Sequence, residues 1–136
     1  RFIIGNTSIL ISKVIYIKKS NNKTFVILDA GMNDLMRPAL YDAYHRIIPV
    51  VKSGGNLNGN LEFVGPICES SDKFLLQKKF SKVREGDYVA ITNTGAYGMS
   101  LTSNYNTRPI IAEIMVSGSK HKIIKKRQSL ENLINN

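Results

Sequence analysis

From Leu10 to Ile17 the chain alternates between two sets of side chains, Leu10, Ser12, Val14 and Tyr16 against Ile11, Lys13, Ile15 and Ile17. A period of two is that of an extended strand, whose successive side chains leave opposite faces. A second apolar run follows at Thr24 to Leu28. Between the two, Lys19-Ser20-Asn21-Asn22-Lys23 supplies turn chemistry, because Asn tolerates left-handed backbone angles, and a β-hairpin is predicted. Asp29-Ala30-Gly31-Met32-Asn33-Asp34 ends the second strand, and Asn33 or Asp34 is placed to cap a short helix running from Leu35 towards Tyr44. Pro38 fits only in the first turn of that helix, and Arg37 and Tyr41, four residues apart, share one of its faces.

Strand character returns at His45 to Val51, Leu61 to Val64, Phe74 to Phe80, Tyr88 to Thr92, Ile110 to Val116 and Lys122 to Lys125. Ser53 to Asn60 reads as a flexible polar loop, and Glu85-Gly86-Asp87 as a turn that continues a β-meander. Ser129 is placed to cap a terminal helix at Leu130 to Ile134. Short strands at regular spacing predict an all-β domain, a Greek-key β-sandwich or barrel with one or two short helices.

At 136 residues with 43% hydrophobic content, one domain with a core of its own is expected. The single cysteine excludes an internal disulfide, a zinc knuckle and a redox CxxC pair, and fits a reducing, cytoplasmic setting. No apolar run approaches the ~20 residues that span a bilayer. Arg1-Phe2-Ile3-Ile4-Gly5 has neither a Met nor a signal-peptide layout, so the chain is expected to be soluble and cut from something longer. A formal charge of +9 raises nucleic acid as a partner. The bases, however, are spread over Lys18 to Lys23, Lys73 to Arg84 and Lys120 to Arg127, with no aromatic residue inside the last run, and they read as solvated faces and a polar tail. His45 and His121 have no carboxylates at ligand spacing, so no metal is assigned, and no stretch has the P-loop pattern.

Candidate chemistry centres on Gly65-Pro66-Ile67-Cys68-Glu69-Ser70-Ser71-Asp72, which places the only thiol beside a carboxylate on a turn between strands. By itself the pattern favours the plain reading, since a lone cysteine is more often a small buried hydrophobe than a reactive group. Arg37 with Tyr41 makes a carboxylate grip, with a surface ion pair and a half-buried Tyr as the plain alternative. Gly95-Ala96-Tyr97-Gly98 has a hydroxyl and turn amides suited to a phosphate, and Ser103-Asn104-Tyr105-Asn106-Thr107-Arg108-Pro109 is unusually polar.

Taken in order, Asp29 to Asp34 with Arg37-Pro38-Ala39-Leu40-Tyr41, then Gly65 to Asp72, Gly95 to Gly98 and Ser103 to Pro109, resemble the C-terminal part of diaminopimelate decarboxylases. That family belongs to the alanine-racemase-like, fold-type III pyridoxal-phosphate enzymes, built from a TIM barrel and a β-domain. The resemblance covers nearly the whole chain and makes residues 1–136 the β-domain, residues 1–9 a remnant of the junction, and Arg1 the last residue of a Glu-Pro-Gly-Arg motif.

The resemblance implies a lyase of lysine biosynthesis that converts meso-2,6-diaminopimelate to L-lysine and carbon dioxide in an active site shared across a homodimer. Arg37 and Tyr41, with Arg1, would hold substrate carboxylate. Cys68 would reach the partner's site and donate the proton, Glu69 would bind the distal amino group, and Tyr97 would contact cofactor phosphate and line the substrate site. The Schiff-base lysine, the phosphate loop and the pyridine-nitrogen carboxylate would lie in the barrel, so the chain alone is expected to be inactive. Cys68-Glu69-Ser70-Ser71-Asp72 looks like the diaminopimelate type, whereas ornithine and related decarboxylases carry an Asp-containing loop after the cysteine. The alternatives are the β-domain of such a relative, or a non-enzymatic basic domain whose nucleic-acid affinity would fall steeply with salt.

Overall fold

The computed structural model describes residues 2–135. Its longest strand, β1 (Ile9–Ser20), serves two partners in succession. Residues 9–13 pair antiparallel with β6 (Tyr88–Thr92), and residues 14–20 pair antiparallel with β2 (Lys23–Leu28), with a register shift between Val14 and Tyr16. A shift of this kind bends and twists a strand, which lets one strand turn a barrel corner.

Polar groups released at the corner are met locally. Asp29 Oδ1 accepts from Lys13 N at 2.8 Å and from Ser12 Oγ at 2.6 Å, while Asp29 N donates to Lys13 O at 2.9 Å. On the other edge Val14 N donates to Asp87 O, and Gly86 N to Val14 O, both at 2.8 Å.

Around β1 the six-stranded sheet runs β3 (Ile47–Pro49), β6, β1, β2, β4 (Asn56–Val64), β5 (Lys73–Ser81). The β2–β4 pair is parallel, so the chain between them crosses over, carrying helix α1 (Arg37–Tyr41) and β3. The two edge strands, β3 and β5, come into contact, and the sheet nearly closes into a barrel. Val14, Val26, Leu28, Phe63, Val89 and Ile91 fill its interior at 0% exposure, and Phe63 meets Phe80 edge-on with ring centroids 4.9 Å apart. A separate hairpin, β7 (Glu113–Ser117) with β8 (Lys120–Lys125), follows. The last element is α2 (Leu130–Ile134), whose Asn132 N donates to Ser129 Oγ at 3.0 Å.

The barrel, the first hairpin and the cap at Ser129 follow the sequence patterns, with several differences. Only Asn21 and Asn22 lie in the hairpin turn, and neither takes positive φ; left-handed angles occur instead at Asn93 (62°) and Asn106 (56°). The stretch 53–60 is not all loop. Residues from Asn56 belong to β4, because Leu57 packs on the core opposite Phe80 while its polar neighbours face water. The meander does not continue past β5, since β6 inserts between β3 and β1. The strand predicted at His45 to Val51 contracts to Ile47–Pro49, and the one predicted at Ile110 to Val116 starts later and runs from Glu113 to Ser117. Neither Asn33 nor Asp34 caps α1: its N-cap is Met36, with no side-chain bond, and Asp42 in the left-handed region (φ 49°) ends it before Tyr44.

One buried charge braces β2, β4 and β5 together. Glu62, 6% exposed, receives Lys23 Nζ at 3.0 Å and Lys73 Nζ at 3.3 Å. Burial alone would raise its pKa, but the hydrogen bonds and charge of the two lysines outweigh it and hold the carboxyl below its ordinary 4.5. A lowered native value means stability that is present above 4.5 and lost as pH falls through the native value. Glu62→Gln is therefore expected to be less stable than the parent at pH 7, with the gap closing below pH 4.5, as read from urea midpoints across that range.

Candidate active site

Helix α1 sets Arg37 and Tyr41 one turn apart, and both line an open cavity of about 620 Å³ together with Ala43, Tyr97 and Leu101. Pro38 sits in the first turn, where its missing N–H costs nothing. Arg37 is only 7% exposed. Behind it, Nη1 lies 3.4 Å from Nε2 of the fully buried His45, whose Nδ1 lies 2.9 Å from Thr92 O. A carbonyl only accepts, so the proton is assigned to Nδ1 and Nε2 is left to accept from the guanidinium. Among the described residues no carboxylate is within ion-pair distance of Arg37, and Tyr41 is exposed, so the surface-pair reading does not hold. Arg37 therefore lines the cavity without a carboxylate partner among the described residues.

Tyr97 reaches the same cavity with φ at 65°, a costly conformation for a residue with a Cβ. The turn that holds it closes tightly: a Cβ on Gly98 would lie 2.2 Å from Thr94 O. Strain of this kind persists where surrounding structure fixes it, and it clusters at functional sites.

The Cys68 loop is organised from inside. Gly65 N donates to Asp72 O at 3.0 Å, closing the loop, and the Asp72 carboxylate fills its interior, accepting from Ile67 N at 2.8 Å and Met32 N at 2.7 Å. Gly65 leaves room for that carboxylate, since a Cβ there would sit 2.2 Å from Asp72 Oδ2. With Ile67 and Asp72 turned inward, Cys68 and Glu69 are left exposed at the tip.

Two further polar segments lock against this loop. Asp34 Oδ2 accepts from Gly31 N at 2.9 Å and lies 3.6 Å from Arg108 Nη2; Arg108 also donates through Nε to Asn33 Oδ1 at 3.0 Å and through Nη2 to Asp29 O. Burial raises Asp34 and Asp72 above the ordinary 3.8, against the pull of these backbone N–H groups and of Arg108. At the loop tip, Tyr105 Oη donates to Glu69 Oε2 at 2.9 Å, and that bond with the carboxylate's charge raises the phenol's pKa.

Of the predicted site residues, Arg37, Tyr41 and Tyr97 meet at one cavity. Cys68 and Glu69 sit on a different rim and do not line it. Arg1 lies outside the described residues. Among the described residues no three His, Cys, Asp or Glu side chains are grouped to hold a metal ion.

Over residues 2–95 the chain matches the family described as pyridoxal-dependent decarboxylase, C-terminal sheet domain. The chain belongs to this family. A diaminopimelate decarboxylase of Zymomonas mobilis is 50% identical over 134 residues, which are 98% of this chain and 31% of that protein. The crystal structure of the Helicobacter pylori diaminopimelate decarboxylase complexed with L-lysine superposes with a TM-score of 0.89 at 44% identity, covering 98% of this chain and 32% of that one. The chain thus spans about a third of the length of the relatives it matches. A lysine decarboxylase from Selenomonas ruminantium, at 22% identity and a TM-score of 0.69 over 80% of the chain, shares the fold.

Within this sheet domain, sequence reasoning assigned no remote partner to Asp72, Arg108, His45 or Tyr105. Three of them lie in segments singled out as unusual, but their partners are remote: Met32 and Asp72 are 40 residues apart, and Arg108 and Asn33 are 75. Only the density of polar residues at Ser103 to Pro109 hinted at such a network. Gly65→Ala is expected to lower stability by about 1–3 kcal/mol, because the new methyl overlaps a buried carboxylate that cannot retreat. A chemical-denaturation midpoint checks it.

Proposed function

We propose that this sheet domain is the C-terminal part of a decarboxylase that converts meso-2,6-diaminopimelate to L-lysine and carbon dioxide. The observation that carries the reading is the separation within one chain of an Arg37–Tyr41–Tyr97 cavity from an exposed Cys68–Glu69 tip, in a sequence 50% identical to a diaminopimelate decarboxylase along 98% of its length. A thiol and carboxylate presented outward, away from their own cavity, suit a loop that completes a second subunit's site. A cytoplasmic homodimer is the matching assembly. Phe2, Ile3, Val116 and Ile134 are 98, 82, 69 and 77% exposed, and bare apolar surface of this kind suits a domain that docks on further chain and on a second copy.

Each side chain has a role its chemistry supports. Arg37 offers a planar fork of donors to a substrate carboxylate, with Tyr41 beside it on the same helix face. Arg1 is a further carboxylate ligand in this reading. Glu69 meets the ammonium at the distal stereocentre, so a substrate charged at both ends is gripped at both. Cys68 holds a proton on Sγ and delivers it to the carbon that has lost its carboxylate.

The pyridoxal phosphate implied by the family fits the residues present. The exposed Tyr97 hydroxyl stands on the rim of the cavity that Arg37 lines, and Thr94 and Gly95 tie its turn to the segment before β1 through bonds of 3.1 Å to Ser8 O and Gly5 O. Tyr97 would hold the phosphate. The cofactor, when bound, supplies the electron sink for the pair released as the carboxylate leaves. Its Schiff-base lysine belongs to a preceding barrel domain in this reading.

In the full-length enzyme, Cys68→Ala is expected to lower kcat by about 10²-fold or more, the usual worth of a positioned acid, with lysine release as the readout. The 136-residue chain alone is expected to form no lysine from meso-diaminopimelate. Lysine formation by the isolated chain, or full turnover by the Cys68 variant, would sink the assignment.

A further inference from the structure

We propose that Tyr105 is a positioning residue that aims the Glu69 carboxylate at the distal ammonium of the substrate and so contributes to selectivity for a doubly charged amino acid. The inference rests on the reading of Glu69 as the ammonium ligand. It starts from a mismatch between that task and the side chain's setting. Glu69 is exposed at a loop tip, and a free glutamate there would lose rotamer entropy each time it bound. Among the described residues the one group hydrogen-bonded to its carboxylate is the Tyr105 hydroxyl, 2.9 Å from Oε2.

The bond has the right polarity for this purpose. A neutral phenol orients a carboxylate by a charge-assisted hydrogen bond without cancelling its charge, as a lysine in the same place would. Oε1 and the remaining lone pair of Oε2 stay available to an incoming cation.

A second, independent feature lies in the backbone that carries Tyr105. The next two residues, Asn106 and Thr107, both have φ at 56°, and for the β-branched Thr107 this is a genuine outlier. The strain is held from both ends. Asn104 Nδ2 donates to Arg108 O at 2.8 Å and to Gln128 Oε1 at 2.6 Å, Gln128 Oε1 also accepts from Ile110 N at 3.1 Å, and Arg108 is anchored on Asn33. Strain of this kind persists only where the surrounding structure over-determines it. Here the over-determined turn brings one phenol hydroxyl to one carboxylate oxygen, 36 residues away in sequence.

The test compares Tyr105→Phe, Glu69→Gln and the double variant in the full-length holoenzyme, with melting temperature measured alongside steady-state kinetics on meso-diaminopimelate. Tyr105→Phe keeps the ring and removes one oxygen. It is expected to raise KM roughly 3–10-fold with kcat changed less than two-fold and melting unchanged, the pattern of lost ground-state positioning. Glu69→Gln is expected to lower kcat/KM roughly 10–100-fold, and adding Tyr105→Phe to it should cost nothing further, because the hydroxyl acts only through that carboxylate. If Glu69→Gln is damaging while Tyr105→Phe matches the parent, or if the two losses add, the positioning role is overturned and the reading of Glu69 stands. If Glu69→Gln itself is harmless, the reading of Glu69 fails and takes this inference with it. A Tyr105→Phe variant that loses melting temperature and kcat at constant KM also overturns the proposal, because it marks the residue as structural.

Discussion

The Asp72 carboxylate, 2% exposed inside the loop it terminates, is the constraint from which the candidate site follows. A turn of eight residues has backbone N–H groups that must find acceptors once they face inward. Asp72 supplies two acceptor oxygens there, one for Ile67 N within the loop and one for Met32 N across from it, so a single side chain shapes the loop and docks it on the segment between β2 and α1. Everything exposed at the tip, Cys68 and Glu69 included, is exposed because this anion and Ile67 occupy the inside.

Burying the anion has a cost that the surrounding groups offset. Asp34 lies close enough for its charge to raise Asp72 further, so the pair would repel if left alone. Arg108 supplies the counter-charge, and the three backbone amides of Gly31, Met32 and Ile67 supply hydrogen bonds. The native values of both carboxyls lie above the ordinary 3.8, so the strain of ionising them appears as pH rises through those values and is absent well below 3.8. Glu62 behaves in the opposite sense, because two lysines overcompensate its burial. The fold therefore holds one anion that acid undermines and two that it relieves, and they sit in different places: Glu62 ties sheet strands together, while Asp34 and Asp72 tie loops.

Local patterns were legible in the sequence wherever the physics is local. Alternation gave β1, four-residue spacing put Arg37 and Tyr41 on one face, and Ser129 capped α2. Polar composition misled at Asn56 to Asn60, where a strand can be polar outward and still bury Leu57. The parallel β2–β4 pairing was illegible because nothing in either strand distinguishes a parallel from an antiparallel neighbour. The motifs singled out segments but not the division of labour within them. In Gly65 to Asp72 the two ends build the loop and the middle is presented; in Ser103 to Pro109 Arg108 locks the frame while Tyr105 touches Glu69. Such roles depend on partners 36 to 75 residues away, and spacing carries no information over that distance.

The division also shows how a mostly structural β-domain would hold chemistry at its rim in the proposed reading. Reacting groups must be held to within a fraction of an ångström, yet exposed side chains on loops are the least ordered parts of a protein. This domain meets both demands by placing the rigidity one layer down. His45 stands behind Arg37, the Gly98 turn pins Tyr97, Asp72 sets the Cys68–Glu69 tip, and the strained turn at Asn106 and Thr107 brings Tyr105 to Glu69. Each presented group therefore has a partner or a constrained backbone behind it. The groups that would meet a ligand remain at the surface, where a second element can close over them.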